Sequence, residues 1–523
     1  MPRAVQRSAL SALREAVQFG DRTERMAPYL FALLIAYAFL KLLAEAASAP
    51  LSGDEIFTLT LARLPHVSTL WKALLHGADG QPPLFYLIER LSQHLVPNTH
   101  VALRLPAVVG FCCTLACVYV FVRGRTGRFA ALLCALILLN TSLYLTYAVE
   151  ARPYGLVVGA ISFAMVCYQR VRNLVWVVLL FLSLAFAVSL HYYAVFALGA
   201  FVAAEAAFYW HSHKLRIGVW LAIVLCAAPL LAFWPLLRAQ KEIYGRNFWA
   251  HPKLSGALAT YGSFFHLPVF VAIGAVAVLV WFLAKPEEWR SVASKGAAPF
   301  EERTLILALM AMPFVVFLAA RIGGGAFLER YILWVTVAVV SGVGWLLSRT
   351  GETGFAAFVA FILIATLGQE GYSLYSLRSR LGRIRSPAAS VENLVKMAGH
   401  PDLPVVVWAD AAAIEHYAAP ETARRLVTLT DPSAAMEFLG TDTGDKLASA
   451  ISEYGSLTVR DFHAFVAAHP EFLLYSSPLN SAQGTTVFYD WWVPRLAKDG
   501  YTLQLLAAAG NDRMYLVRSP TPQ

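Results

Sequence analysis

The chain has 523 residues, of which 58% are hydrophobic and only 14% charged, with a formal net charge of +9 at pH 7. Soluble globular chains carry about 25% charged residues, so the composition excludes an ordinary cytosolic enzyme, a disordered chain and a collagen-like chain. The basic balance fits the cytoplasmic loops of a polytopic membrane protein; no basic stripe with interleaved aromatics supports nucleic-acid binding.

A membrane helix needs roughly 20 mostly apolar residues. On that rule about eleven spans are predicted, at 27–47, 102–122, 129–148, 153–169, 174–190, 193–210, 217–237, 267–284, 304–320, 331–348 and 354–371. The first is too long and too late for a signal peptide and is read as retained. Arg3 to Arg25, Arg123 to Arg128, Arg170 and Arg172, Lys214 and Arg216, Lys285 to Arg303, and Arg349 fall on one side of that topology, which the positive-inside rule makes cytoplasmic. The opposite side receives the loop 48–101, the short turns at 149–152 and 190–193, the loop 238–266, the turn 321–330 and everything after 372. The six cysteines lie inside apolar runs with no CxxC spacing, so neither a disulfide framework nor a thiolate zinc site is expected.

The first outer loop opens with Ser52-Gly53-Asp54-Glu55. Adjacent carboxylates repel and raise one pKa unless a cation or substrate hydroxyls intervene, which suits a general base beside a substrate-binding group. The structural alternative is a helix start capped by Ser52 or Asp54, with Glu55 favouring the helix dipole. Two amphipathic stretches follow, Val67–Leu75 and Leu84–Leu95, around Asp79-Gly80-Gln81-Pro82-Pro83-Leu84-Phe85-Tyr86; Trp71, Phe85 and Tyr86 suit a helix in the membrane interface. Arg104 then stands at the outer mouth of the second span, where a guanidinium clamps a phosphate or snorkels. Later outer ends carry Tyr147, Glu150, Arg152 and Tyr154, then His191 and Tyr192, then Arg330 and Tyr331. Each has a local structural reading, but together they gather on one face beside the acidic pair, and ionisable groups near membrane depth are costly and usually functional.

After 372 hydrophobicity falls. Strands are predicted at Pro404–Trp408, Arg425–Thr430, Glu471–Tyr475, Tyr501–Leu506 and Arg513–Arg518, and helices at Ala411–Ala418, Ser433–Leu439, Leu447–Tyr454, Asp461–Ala468 and Tyr489–Asp499. This alternation predicts a small soluble α/β domain with a mostly parallel sheet; no GxGxxG or Walker pattern supports a nucleotide site. Arg378, Arg380, Arg383 and Arg385 read as a collar for anionic lipid head groups. Trp491-Trp492 reads as packing of the tail onto the membrane-embedded part in preference to a sugar-stacking platform. The chain thus divides into a membrane module, 1–371, and a C-terminal domain, 372–523.

The acidic pair after the first span, a long outer loop with Pro-Pro-Leu-Phe-Tyr, then Arg-Leu-Pro and Glu-Ala-Arg-Pro-Tyr, resemble the GT-C glycosyltransferases. The nearest branch is the family 39-like enzymes, similar to protein O-mannosyltransferases and the aminoarabinose transferase acting on lipid A. The resemblance spans 1–370 in topology and is sharpest over 50–160. It implies a polytopic enzyme of the bacterial cytoplasmic membrane. Such an enzyme takes a monosaccharide from a polyprenyl-phosphate donor and passes it, with inversion, to a glycan, lipid or protein acceptor on the extracytoplasmic face. It places Asp54 at the catalytic centre with Glu55 its neighbour. The residue before Pro-Pro is commonly Lys or His in that family; here it is the uncharged Gln81, leaving Arg152, His191 or Arg330 to grip the donor phosphate. The resemblance leaves a divalent metal open, with Asp54, Glu55, Glu150 and His191 as available ligands. A lipid-linked glycan flippase is the main rival; it would be expected to show internal repeats and mid-bilayer polar groups, and the sequence has neither. A surface-polysaccharide ligase or polymerase is a nearer rival, though its main outer loop would come late in the chain.

Overall fold

The computed structural model describes residues 3–265, 298–347, 352–381, 384, 386–477 and 491–520. A long helix, α1 (Arg3–Ser48), delivers the chain to one end of a helical bundle, where α2 (Gly53–Ala62), α3 (Val67–Leu75) and α4 (Pro83–Leu95) form the loop before α5 (Thr99–Arg123). The two predicted loop helices are present. Their interfacial placement needs correction at Phe85 and Tyr86: both are fully buried in the bundle core, whereas Trp71 is half-buried at its edge. Pro83 starts α4 because a first-turn proline lacks only an N–H that the helix would leave unpaired, and Asn98 caps α5 by accepting from the Val101 amide at 3.0 Å.

Helix α5 packs closely on α8 (Tyr154–Tyr168). A Cβ added to Gly110 would lie 2.4 Å from the Gly155 carbonyl carbon, and one on Gly159 2.7 Å from the Gly110 carbonyl oxygen. No side chain fits between these backbones, so the glycines let the two helices touch directly. Helices α6 (Arg128–Leu138), α7 (Ser142–Leu145), α9 (Leu174–Leu190) and α10 (Val195–Ser212) complete this half of the bundle.

Several predicted spans are broken. The span 129–148 divides into α6, α7 and a 3-10 turn, Tyr147–Val149. The span 217–237 becomes Ile217–Ala232 and Trp234–Ile243, bent by 59°, and 304–320 becomes Phe300–Met310 and Met312–Gly323, bent by 52°. Pro235 and Pro313 sit in the first turn after each bend, where proline starts a new helix more readily than it continues an old one. Among the described residues four helices are long and apolar enough to cross a membrane, or six if each bent pair is one span. The others, such as Tyr154–Tyr168, are apolar but shorter, so the count of eleven is not reached on length, and 267–284 lies outside the described residues. The apolar helices make this a membrane protein. At the bundle end away from α2, Glu24 accepts from the Arg128 and Phe129 amides at 2.8 and 3.1 Å, Arg125 grips Glu302, and Arg216 grips Glu205.

The C-terminal part is a six-stranded sheet in the order β3-β2-β1-β4-β6-β5. Its strands are β1 (Val405–Val406), β2 (Leu426–Thr430), β3 (Val459–Asp461), β4 (Glu471–Ser476), β5 (Thr502–Ala509) and β6 (Asp512–Arg518). Strands β3, β2, β1 and β4 are parallel, while β6 runs antiparallel to both β4 and β5. The sheet is therefore mixed, and β3 is an edge strand that the sequence reading did not anticipate. Trp491 and Trp492 stack at 4.2 Å within the sheet's own core, beside Phe462 and Phe472, which corrects their expected packing onto the membrane part. Arg378 and Arg380 end the helix Glu352–Arg380; Arg383 and Arg385 lie outside the described residues.

Contacts on two sides fix the sheet domain to the α2 end of the bundle. Ala412 is buried with Leu51, Ile56, Leu103 and Ala151, and the Tyr417 hydroxyl accepts from the Leu51 amide at 2.8 Å while lying 2.6 Å from His100 Nε2. On the other side Lys446 Nζ donates to the Ile243 carbonyl at 2.7 Å, and the Thr441 hydroxyl to that of Asn247 at 2.6 Å.

Candidate active site

The first turn of α2 separates its two carboxylates. Ser52 Oγ accepts from the Glu55 amide at 3.4 Å and Glu55 Oε2 accepts from the Ser52 amide at 2.9 Å, a reciprocal cap that ends the loop and starts the helix. Glu55 also accepts from Arg104 Nε and Nη2, each at 2.7 Å, and from the Ala151 amide at 2.9 Å. The remaining Arg104 hydrogen bonds go to the carbonyls of Ala46, Ala49 and Pro50, at 2.9, 2.8 and 2.7 Å. Both Glu55 oxygens and all three Arg104 nitrogens are thus committed inside the fold. This corrects two expectations: Glu55 is no free neighbour of the base, and Arg104 has no donor left for a phosphate.

Asp54 is placed differently. Its side chain is 40% exposed, and Oδ2 lies 3.2 Å from Arg152 Nη2. Arg152 is buried and bridges to a second carboxylate, with Nη1 2.5 Å from Asp79 Oδ2. Asp79 is held in turn by its own loop: Oδ1 accepts from the Gly80 amide at 2.7 Å, and its carbonyl accepts from Gln240 Nε2 at 2.9 Å. Arg152 holds the Asp54 carboxyl below its ordinary range against the opposing effect of burial, and Arg330 adds to the pull. For Glu55 burial works upward, but Arg104 and the two amides outweigh it. Neither carboxyl is therefore raised: a cation intervenes at each, Arg152 for Asp54 and Arg104 for Glu55, which is the exception the adjacency argument allows.

Around Asp54 the ends of four segments converge. Arg330, on the turn Glu329–Ile332, makes no hydrogen bond or ion pair within 4 Å among the described residues, and its Nε is buried without a partner. Its charge acts on Asp54, Glu150, Tyr154 and Tyr331. Tyr154 and Tyr331 form an aromatic floor with His191, with ring centroids 5.8 Å (Tyr154–His191) and 4.8 Å (His191–Tyr331) apart; Tyr147 closes it at 5.5 Å from Tyr154. Burial, with Arg330 and Arg152 adding, pushes His191 down to about 3, so its imidazole is neutral, and Nδ1 accepts from the Tyr193 amide at 3.2 Å. Tyr192 turns toward Phe233, 6.3 Å away, and Gln81 is buried with Oε1 unpartnered. Burial pushes Glu150 up to about 7, although Arg152 and Arg330 pull it down. Asp79 is the member that the sequence reading passed over; an acidic residue directly before Gly-Gln-Pro-Pro was its only local signal.

The geometry does not fit a metal at this site. Asp54 and Asp79 share Arg152, Glu55 is saturated by Arg104, and two guanidiniums stand where a cation would need to approach. Among the described residues no three His, Cys, Asp or Glu side chains converge as a ligand set.

No protein-family model matches the sequence and no curated protein is significantly similar to it. Two solved structures align over almost the whole chain. ArnT from Cupriavidus metallidurans in the apo state superposes with a TM-score of 0.57 at 13% identity, covering 95% of this chain and 100% of that one. The chain has the GT-C fold. The same ArnT bound to undecaprenyl phosphate superposes with a TM-score of 0.52 at 13% identity, covering 93% of this chain and 97% of that one. At such identity the shared property is the fold alone.

Proposed function

We propose that this chain transfers a monosaccharide from a polyprenyl-phosphate donor to an acceptor at the extracytoplasmic face of a bacterial cytoplasmic membrane, with residues 1–371 as the catalytic module and 372–523 outside. The observation that carries this reading is the asymmetry among the arginines: among the described residues Arg104 and Arg152 are matched by carboxylates, and Arg330 is not. A half-buried guanidinium with a buried, unpartnered Nε and no matching anion suits a phosphate, and a polyprenyl phosphate delivers its phosphate at head-group level. The Lys and Arg of the opposite bundle end support that side, since positive charge favours the cytoplasm.

In the proposed reaction the acceptor hydroxyl oxygen attacks the anomeric carbon as the bond to the phosphate oxygen breaks, and polyprenyl phosphate leaves. Phosphate is a good leaving group without protonation, so Arg330 and the free Nε of Arg152 serve to stabilise its growing charge. The hydroxyl proton passes to Asp54. Before the donor binds, Arg152 and Arg330 make Asp54 a weak base; a phosphate that draws on both guanidiniums returns basicity to it when it is needed. His191 and the tyrosines line the path with neutral groups, and inversion follows from a single displacement.

The test uses the purified chain in detergent with a panel of radiolabelled undecaprenyl-phosphate hexoses and pentoses and a solubilised bacterial envelope extract as acceptor. Transfer without sealed vesicles is expected. No transfer from any donor, with donor flux across proteoliposomes instead, would establish a transporter. The same assay yields a pH signature. Glu150 is neutral below about 7 and an anion above it, so the half-saturating donor concentration should rise roughly three- to tenfold as pH passes through that value. Glu150→Gln should flatten the profile; a slope that persists in this variant would assign the titration to another group.

A further inference from the structure

One carboxylate near Asp54 comes from the C-terminal domain. Asp410 precedes the helix Ala411–Tyr417 with φ +51° and ψ +23°, one of two non-glycine residues with positive φ among the described residues. Its side chain makes no capping hydrogen bond, is exposed, and has no hydrogen bond or ion pair among the described residues. A Cβ added to Gly53 would lie 3.9 Å from Asp410 Oδ1, so this carboxylate stands against the residue directly before Asp54. The placement is enforced from behind, by Ala412 in the cluster with Leu51 and Ile56 and by the Tyr417 hydroxyl on the Leu51 amide. A left-handed non-glycine residue is disfavoured and persists where its surroundings over-determine it, often at a functional site. Here the local backbone gains nothing visible from the aspartate, since its side chain caps nothing.

The charges around the site also leave Asp410 over. Arg104 answers Glu55; Arg152 answers Asp54 and Asp79; Arg330 is reserved for the donor phosphate in the reading above. The surrounding protein, which partly displaces water although the carboxylate opens to solvent, and the charge of Asp54 both raise the Asp410 pKa, the behaviour of a carboxylate whose partner is not supplied by the fold. A hydrogen-bond donor brought by a ligand would answer it. The donor phosphate belongs beside Arg330, so that ligand is the acceptor.

We infer that Asp410 is the acceptor-side residue of the site, its carboxylate accepting hydrogen bonds from an ammonium or a pair of vicinal hydroxyls on the acceptor and so turning the attacking hydroxyl toward Asp54. The inference rests on the glycosyl-transfer reading and adds to it a role for the C-terminal domain: it supplies one wall of the acceptor subsite.

The test is the transfer assay on the full chain, comparing wild type, Asp410→Gly and Asp410→Asn. Glycine adopts positive φ freely, so Asp410→Gly should unfold no earlier than wild type. Its half-saturating envelope-extract concentration should nevertheless rise about tenfold, as expected when a charge-assisted hydrogen bond is lost, with donor half-saturation held within about twofold. Asp410→Asn should move in the same direction. Extract treated with acetic anhydride in bicarbonate lacks free amines, and periodate-treated extract lacks vicinal diols; loss of wild-type transfer with one of them identifies the group that Asp410 takes. Undiminished transfer with both extracts, an unchanged acceptor half-saturation in Asp410→Gly, or an equal rise for donor and acceptor would each overturn the inference while leaving glycosyl transfer standing. A wild-type chain that transfers no sugar would overturn both.

Discussion

Asp54→Asn should slow transfer by roughly 10²–10⁴-fold, the usual contribution of a positioned general base, while donor half-saturation and thermal unfolding change little. The amide keeps the shape of the carboxylate and an oxygen for Arg152, and Arg152 keeps its second partner in Asp79, 2.5 Å away, so no buried cation is orphaned. What is lost is the ability to take a proton. Because Arg152 and Arg330 lower the Asp54 pKa, wild-type Asp54 stays ionised across the neutral range, and its own titration should limit the rate only in acid, below the ordinary carboxylate range. Initial rates of the purified variant settle the matter: turnover within about threefold of wild type would remove Asp54 from the role.

Arg104→Met should damage the fold more than the chemistry. The substitution leaves Glu55 as an unpaired buried anion and uncaps the Ala46, Ala49 and Pro50 carbonyls. Breaking a buried pair from one side costs about 3–5 kcal/mol. The neighbouring Glu89, buried with neither oxygen hydrogen-bonded, has its pKa raised by burial and by the charge of Glu55, so it offers Glu55 no compensating charge. Adding Glu55→Met should recover part of the loss, because the orphan charge goes while the uncapped carbonyls remain. The measurement is thermal unfolding in detergent; a single variant that unfolds with the wild type would show that the pair does not hold the loop.

The sequence was readable where a local pattern carried the signal. Apolar runs marked the helices, and Val67–Leu75 appears at its expected bounds. Alternating runs found five of the six strands, and ionisable residues at the ends of apolar runs marked Asp54, Arg152, His191 and Arg330. Pairing was not readable. Nothing near Glu55 says that its partner is 49 positions away on α5, or that Asp79 and not a residue of the Glu-Ala-Arg-Pro-Tyr run completes the Arg152 bridge. Asp410 was invisible for the same reason: in sequence it is an acidic residue at the start of a short helix, and only the docking of the sheet domain brings it to Gly53. Strand β3 escaped because Val459-Arg460-Asp461 is a three-residue edge with two exposed side chains, too short for an alternation to declare itself.

The glycine contact between α5 and α8 bears on how rigidly two arginines of the site are held. With backbone against backbone at Gly110, Gly155 and Gly159, these helices have no side chains between them at those points to repack. Arg104 stands on α5, and Arg152 just before α8. The stretch that carries Arg330 is held separately, by the Tyr193 hydroxyl on the Ala326 carbonyl, by the Phe327 amide on the Ala250 carbonyl at 3.2 Å, and by Tyr331 against His191. Arg104 and Arg152 thus keep a fixed spacing set by two helices in backbone contact, while Arg330 is positioned by a different part of the fold.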